Sequence, residues 1–237
     1  MNNELLQKFS DLANGFVEKD DLIGETMHFI KIQLNVDAIG VRLVVGEDYP
    51  YYQTIGFSEP FVKAENSLCK RDACGNIVRD NKGKTVLACV CGDILRGKGN
   101  GRCTECACYL QSGGFVTNDS ADPSLASILE REKISIRGKC IEGWYKTIVI
   151  IPIPYHNENI GLIQLNSLHE NAFPIESIET IEQIGVIMGN VLGALVMLEQ
   201  NAQERKMILA KNILKIAQEI RIIASKYSGA TETKVFT

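Results

Sequence analysis

Cysteine is the residue type whose spacing in this chain points most directly to chemistry. Five of the eight cysteines lie close together, as a Cys-x-Cys pair, Cys89 and Cys91, and a Cys-x-x-Cys-x-Cys group, Cys103, Cys106 and Cys108. Thiolates are the preferred ligands of zinc and of iron–sulfur centres, and closely spaced thiols lower the entropy cost of closing a site. The spacing therefore predicts that these five cysteines bind zinc or an iron–sulfur cluster, and it does not decide between the two.

Two other interpretations of the same thiols remain open. Lys98 and Arg102 lie beside the two groups, and a neighbouring positive charge lowers the pKa of a thiol. The cysteines would then switch between thiol and disulfide without a metal. The other interpretation is a set of small buried cysteines that bind nothing. The dense clustering favours metal binding or redox switching over simple packing.

The composition bounds the classes of protein to consider. The chain has 237 residues, 45% of them hydrophobic, and a formal net charge of −4, which argues against a nucleic-acid surface. The first residues lack the basic and apolar regions of a signal peptide, and we read the apolar stretch from Ile184 to Leu198 as a buried helix rather than a membrane span. We expect a cytoplasmic protein with reduced thiols and no membrane or nucleic-acid partner.

Hydrophobic periodicity predicts a mixed α/β order of elements. Residues 3–18 and 20–34 have helical spacing, whereas 37–45 and 51–55 read as paired strands. The clearest hairpin covers residues 146–167, and helical patterns begin near Pro123 and again at Phe173.

Between these elements, residues 66–114 hold seven of the eight cysteines and show weak periodicity. A long segment of this kind is unusual unless it is functional or clamped. We therefore expect a metal, rather than an apolar core, to hold this Cys-rich insert in place.

The apolar positions of the last predicted helix are spaced alternately by three and four residues. This seam is longer than one small domain can cover, so it predicts a homodimer formed through the C-terminal helices. Its members are Ile181, Ile184, Met188, Val191, Leu195, Leu198, Ala202, Leu209, Ile213, Ile216, Ile220 and Ile223.

Residues 148–153 and 160–166, the two strands of the hairpin, resemble the closing signature of the GAF domain family. Further segments resemble a subgroup of GAF domains found in bacterial and archaeal sensor histidine kinases, and the resemblance covers residues 20–198. Cys69, Cys89, Cys91 and Cys140 stand where that subgroup commonly has cysteine, whereas Cys74 and the group 103–108 look like additions. The segments are 47–52, 56–57, 61–62, 65–69, 89–92, 114–118 and 137–145.

The resemblance implies an α+β sensor fold. Such a fold has a central antiparallel sheet of about six strands, helices packed on one face, and the Cys-rich insert with a ligand pocket on the other. It divides the chain into an N-terminal helix (1–19), a GAF-like domain (20–198) and a C-terminal helical extension with a flexible tail (199–237). No kinase, cyclase or hydrolase motif is present, so the resemblance leaves the output partner unnamed and makes an enzyme the less favoured class.

By analogy with where GAF ligands lie, five residues are candidates for binding a small-molecule ligand: Arg42, Asn118, Cys140, Trp144 and Tyr145. Some related sensors hold haem, but this chain has no Cys-x-x-Cys-His motif, so haem is less favoured than zinc or an iron–sulfur cluster. Cys140 also lies near the reactive position of GAF enzymes that reduce free methionine sulfoxide.

These inferences combine into one predicted function. The chain is expected to be a cytoplasmic GAF-type signal-transduction protein with a Cys-ligated metal or redox centre in its insert and a signalling partner protein. The alternatives are a stand-alone GAF redox enzyme of the methionine-sulfoxide-reductase kind, and a module that binds a small molecule or haem with inert structural zinc.

Overall fold

A computed structural model describes residues 18–97, 108–131, 134 and 136–231. Most of the predicted helix 1–19 and two cysteines of the predicted metal site, Cys103 and Cys106, lie outside these residues. The described elements are α1 (Lys19–Leu34), β1 (Ala38–Leu43), β2 (Tyr51–Ile55), α2 (Glu59–Glu65), α3 (Cys89–Leu95), β3 (Phe115–Thr117), α4 (Pro123–Arg131), α5 (Lys139–Glu142), β4 (Thr147–Tyr155), β5 (Glu158–Ser167) and α6 (Ile175–Thr231).

The strands form one antiparallel sheet in the order β2-β1-β5-β4-β3. The described residues therefore contain five strands, one fewer than expected. The predicted hairpin is confirmed, because β4 pairs with β5 from Thr147 opposite Ser167 to Tyr155 opposite Glu158. The predicted second strand, residues 51–55, coincides with β2.

Both faces of the sheet are covered, and alternate residues of β4 enter two different apolar cores. Val149, Ile151 and Ile153 belong to the core on the side of α1 and α6, whereas Ile148 and Ile150 belong to the core on the side of the insert. Side chains of a strand point alternately to opposite faces, so a strand covered on both sides needs apolar residues at nearly every position. This explains the unbroken run of apolar residues in this part of the sequence.

The insert is held by apolar packing, which corrects the expectation that it lacks a core of its own. Leu68, Leu87, Val90, Ile94 and Leu95 are buried together with Leu162 on the insert side of the sheet. Burial of one such aliphatic side chain stabilises a fold by about 1.5–3 kcal/mol. Apolar packing on the sheet therefore helps to fix this part of the insert.

An octapeptide repeat builds the first part of the insert, and the sequence analysis missed it. The pattern Arg-Asp-x-x-Gly-x-x-Val occurs at residues 71–78 and again at 79–86. In each copy the Asp carboxylate accepts hydrogen bonds from two backbone N–H groups of its own loop, and the Arg guanidinium donates to the Gly carbonyl. The two loops therefore adopt the same hydrogen-bonded turn.

Backbone hydrogen bonds then close the two copies into a ring. The backbone N–H of Val78 donates to the carbonyl of Lys70, the N–H of Val86 donates to the carbonyl of Val78, and the N–H of Lys70 donates to the carbonyl of Val86. We call this segment, residues 69–87, the repeat arm.

The chain divides into two compact units, residues 1–193 and 194–237, and the long helix α6 contributes residues to each of them. Its region Ile175–Ile216 is long and apolar enough to cross a membrane by length and composition. In the first unit, burial against the sheet accounts for this composition: Ile178, Ile181, Ile184, Met188 and Leu192 are core residues. In the second unit, apolar side chains are exposed within this chain: Val196, Met197, Leu198, Met207, Ile208, Leu209, Ile213, Leu214 and Ile216.

Three glycines at intervals of four residues let α6 approach the end of β4. A Cβ atom at Gly185 would lie 2.6 Å from the carbonyl oxygen of Pro152, and one at Gly189 would collide with the carbonyl oxygen of Pro154. At Gly193 it would collide with the ring of Tyr155. The close contact between α6 and β4 therefore requires residues without a side chain.

Replacing Gly189 tests this packing. Gly189→Ala should lower the free energy of unfolding by about 1–3 kcal/mol, because the new methyl group must displace backbone rather than a flexible side chain. Urea unfolding followed by circular dichroism measures the change.

Gly24→Ala in α1 is the matched control, because its Cβ would meet Gln53 Oε1 at an ordinary 3.4 Å. It should be neutral or stabilising, since alanine favours a helix interior. Equal unfolding midpoints for Gly189→Ala and the wild type would contradict the proposed packing.

Candidate functional site

The candidate site is a small cavity on the insert side of the sheet. It has a volume of about 60 Å³ and lies among α3, α4, α5 and strands β3 and β4. Three cysteines line it: Cys89, Cys91 and Cys140. Its charged lining residues are Glu65, Arg137 and Lys139, and its apolar ones include Phe115, Leu125, Leu129, Ile148 and Ile150.

The first cysteine of the cavity has an unusual backbone conformation. Cys89 opens α3 with a φ of 68°, in the left-handed region that residues other than glycine rarely adopt. Such strain costs on the order of 1–3 kcal/mol and persists where the surroundings impose it, often at functional sites. The packing of α3 on the sheet therefore holds Cys89 in a backbone conformation that is unfavourable for a residue other than glycine.

Hydrogen bonds make Cys89 the most acidic thiol in the cavity. The Cys91 thiol, together with the backbone N–H groups of Arg137 and Val90, lowers the pKa of Cys89 from 9.0 to about 6, although burial opposes the shift. The hydrogen bond that Cys91 gives to Cys89 and the burial of Cys91 raise the pKa of Cys91 well above its usual value. At neutral pH the pair therefore consists of a thiolate, Cys89, and a thiol, Cys91.

The third cavity cysteine, Cys140, is a protonated thiol. Burial and the nearby charge of Cys89 raise the pKa of Cys140 to about 12. The buried amide of Gln164 contacts the two protonated thiols: its Nε2 donates to Cys140 Sγ at 3.6 Å, and its Oε1 lies 4.0 Å from Cys91 Sγ. The Tyr51 hydroxyl donates to the same Oε1 at 2.9 Å. One amide of β5 thus contacts two of the three thiols.

A buried carboxylate, Glu65, also faces the cavity. The residue is 5% exposed, and its Oε1 lies 3.6 Å from Nη1 of Arg137. Among the described residues this oxygen has no hydrogen-bond partner. Nη1 of Arg137 instead donates to the Ser67 carbonyl at 2.7 Å. The cavity therefore contains a buried acceptor that a ligand with O–H or N–H groups would satisfy.

Arg42 lies behind the cavity wall rather than in it. Its side chain is fully buried and donates to the carbonyls of Tyr49, Asn66 and Glu65 at 2.9, 3.0 and 2.7 Å. The guanidinium also stacks on the Tyr51 ring, 3.5 Å from its centroid. Arg42 thus ties the last residue of α2, Glu65, to the sheet and fixes the position of the Glu65 backbone, from which the carboxylate side chain extends.

The structure places the other predicted ligand residues in different surroundings. Cys140 lines the cavity. Tyr145 is buried, and its ring packs edge-on against Phe57 and Phe61. The side chain of Asn118 is exposed, and Trp144 is 79% exposed with a φ of 63°. Of the five candidates, Cys140 is therefore the one in the cavity wall.

The predicted metal ligands are only partly described. Cys89 and Cys91 meet in the cavity, and Cys108 is buried in the apolar core to which Cys91 belongs. Cys103 and Cys106 lie outside the described residues. Within the described ranges, no group of three or more His, Cys, Asp or Glu side chains is placed to hold one metal ion.

Three site residues escaped the sequence analysis: Glu65, Arg137 and Gln164. Gln164 carried a readable signal, because β5 is apolar from Ile160 to Leu165 except for this amide. A polar side chain in a strand buried on both faces needs a specific partner. Glu65 and Arg137 carried no such signal, because a charged residue outside a clear periodic pattern is normally solvated.

Comparison with solved structures identifies the fold. The GAF domain of a phosphoenolpyruvate-protein phosphotransferase from Coxiella burnetii superposes with a TM-score of 0.57 and 12% identity, covering 84% of this chain and 96% of that one. The corresponding Acinetobacter domain gives 0.56 and 9% identity, with coverages of 84% and 98%. Free methionine-R-sulfoxide reductase from Neisseria meningitidis gives 0.54 and 13%, with coverages of 83% and 91%.

Sequence comparison adds no relative to this set. No family model matches the chain. No curated protein matches it either. At identities of 9–13% the structural likeness speaks for architecture and not for ligand or activity. The chain therefore has the α+β fold of a GAF domain, with a five-stranded antiparallel sheet and a long C-terminal helix.

Proposed function

We propose that the protein is a cytoplasmic GAF-type sensory module whose cavity thiols form a redox centre. The observation that carries the proposal is that Cys89, Cys91 and Cys140 line one small cavity. Cys89 is the reactive thiolate, and Cys91 is the thiol that pairs with it. Cytoplasmic thiols are kept reduced, so oxidation of the pair is an informative signal there.

The size of the cavity supports a small reactant. Sites for drug-sized ligands and cofactors have volumes of roughly 300–1,000 Å³, whereas this cavity has about 60 Å³. In the shape described, it fits a molecule of a few heavy atoms rather than haem or a cyclic nucleotide. The thiols in its wall make chemical reaction, rather than binding of a large ligand, the event to be sensed.

The cavity favours a sensor over the reductase alternative based on Cys140. A nucleophilic cysteine must be a thiolate, but burial raises the pKa of Cys140 to about 12. Cys140 therefore serves as cavity wall, and the reactive position is Cys89.

Strand β4 provides a route for the signal. Ile148 and Ile150 line the cavity, and the carbonyls of Pro152 and Pro154, further along the same strand, lie against Gly185 and Gly189 of α6. Packed cores transmit small displacements because they have few voids. A disulfide between Cys89 and Cys91 ends the contact of Cys91 with Gln164 and so disturbs the cavity wall, and α6 passes the change to a signalling partner.

A Cys-ligated zinc ion or iron–sulfur cluster in the insert is the second candidate. It is favoured by the adjacent thiols of Cys89 and Cys91 and by the burial of Cys108 in the same core as Cys91. Anaerobic purification followed by metal analysis tests it. One metal centre per chain, lost in Cys108→Ser, would support this candidate, and metal-free protein with wild-type stability would reject it.

The pH dependence of thiol alkylation tests the proposed redox centre. The thiolate is the nucleophile, so the iodoacetamide rate of Cys89 should rise with pH and reach half its maximum near pH 6. In Cys91→Ala the midpoint should move up toward the ordinary value, because the main stabilising hydrogen bond is lost. Mass spectrometry of the labelled peptides measures each site separately.

Cys74 is the internal control, because it is an exposed thiol on the repeat arm. If Cys89 labelled no faster than Cys74 at pH 7, Cys89 would not be a stabilised thiolate and the redox centre would be rejected.

The proposed homodimer has a separate test. The double substitution Leu209→Lys and Ile213→Lys should convert a dimer into a monomer, because both residues are exposed apolar positions of the predicted seam. Multi-angle light scattering measures the molar mass, and thermal unfolding of the GAF fold should change little. Lys211→Ala, off the seam, should remain dimeric, and a monomeric wild type would refute the seam.

A further inference from the structure

We propose that the oxidant is a small hydroperoxide, hydrogen peroxide above all, which binds beside the Glu65–Arg137 ion pair and is attacked by Cys89. This inference rests on the proposed redox function and names its reactant. It begins with Glu65 Oε1, because a buried acceptor without a hydrogen-bond donor destabilises the site and favours a ligand that supplies one. Arg137 pairs with that oxygen by charge at 3.6 Å, beyond hydrogen-bond distance, and no described group of the cavity wall donates a hydrogen bond to it.

Hydrogen peroxide matches the site in size and in hydrogen bonding. It has two heavy atoms, which a cavity of about 60 Å³ accommodates. Each of its oxygens carries an O–H group, and either can donate to Glu65 Oε1. Arg137 Nη1, 3.6 Å from that oxygen, brings a positive charge to the same space. The reacting sulfur atoms of a disulfide carry no hydrogen-bond donor, whereas both reacting oxygens of the peroxide do, so the Glu65 carboxylate distinguishes the two classes of oxidant.

The positions of the two charged residues are set by structure outside the cavity. Arg42 holds the backbone carbonyl of Glu65 at 2.7 Å, and the Ser67 carbonyl holds the Arg137 guanidinium. The backbone N–H of Arg137 also donates to Cys89. One residue, Arg137, thus connects the reacting sulfur to the carboxylate that receives the peroxide.

The first reaction is nucleophilic displacement on oxygen. The Cys89 thiolate attacks one peroxide oxygen, an S–O bond forms, and the O–O bond breaks. The sulfur is oxidised by two electrons to a sulfenic acid, and the leaving oxygen departs as hydroxide. The Arg137 guanidinium stabilises the negative charge that develops on that oxygen. The hydroxide takes the proton of the Cys91 thiol and becomes water.

The second reaction forms the disulfide. The Cys91 thiolate attacks the Cys89 sulfur, an S–S bond forms, and the sulfenic oxygen leaves as hydroxide, which takes a proton from solvent. Overall, one peroxide is reduced to two water molecules, and two thiols become one disulfide. Cys91 is suited to this role because its thiol already contacts the Cys89 sulfur.

The test compares two oxidants on the full chain: hydrogen peroxide and glutathione disulfide. Stopped-flow oxidation of the wild type by hydrogen peroxide should be at least tenfold faster than that of Cys74 in the same protein. Glu65→Gln should lower the peroxide rate at least tenfold and leave the glutathione disulfide rate within twofold. Glu59→Gln, an exposed residue of the same helix, is the matched control and should change neither rate.

Two further measurements keep the inference testable if Glu65→Gln does not fold. Cumene hydroperoxide should oxidise the wild type at least tenfold more slowly than hydrogen peroxide, because the cavity is too small for its ring. Dimedone should trap the sulfenic acid on Cys89 in Cys91→Ser after peroxide treatment, and mass spectrometry locates the adduct.

The outcomes separate the inference from the function on which it rests. Fast oxidation by glutathione disulfide, with peroxide rates equal to those of Cys74 or unaffected by Glu65→Gln, would overturn the peroxide site and leave the redox centre standing. Equal rates for the two hydroperoxides would also overturn it. Inertness of Cys89 toward both classes of oxidant would overturn the redox function itself.

Discussion

Burial of both faces of the β4–β5 hairpin is the constraint on which the rest of the structure depends. Because neither face meets solvent, one face must pack on α1 and α6 and the other on the insert. The insert is therefore a second layer of the fold. It delivers Cys91, in the first turn of α3, to the sheet at the point where β5 carries the amide of Gln164.

Polar groups within that second layer decide its chemistry. Apolar packing brings three thiols together, but their protonation states differ because their hydrogen bonds differ: Cys89 accepts, Cys91 donates, and Cys140 is buried beside both. The same neighbourhood contains the cation of Arg42, which donates to backbone carbonyls outside the cavity. Its charge opposes the rise in the pKa of Cys91 and Cys140 but is outweighed by the other causes, burial among them.

The sequence was most informative where local pattern and tertiary structure coincide. The hairpin, β2 and the helix that begins at Pro123 follow from alternation, turn residues and helical spacing, and the structure contains all three. The same approach failed for the repeat arm, because its pattern recurs every eight residues rather than every 2.0 or 3.6. The cavity was harder still: Glu65, Arg137 and Cys89 meet through long-range packing, which no local spacing encodes.

The ring of hydrogen bonds in the repeat arm has a consequence for aggregation. An exposed strand edge offers unpaired N–H and C=O groups to other chains, and proteins usually protect such edges with charge, proline or a covering segment. Here Lys70, Val78 and Val86 pair with one another in a closed triangle, so at these positions the arm presents no open edge. The repeat arm can therefore be exposed without offering these backbone groups for strand pairing with neighbouring molecules. Loss of a single octapeptide would remove one side of the triangle and leave backbone N–H and C=O groups of the arm without these partners.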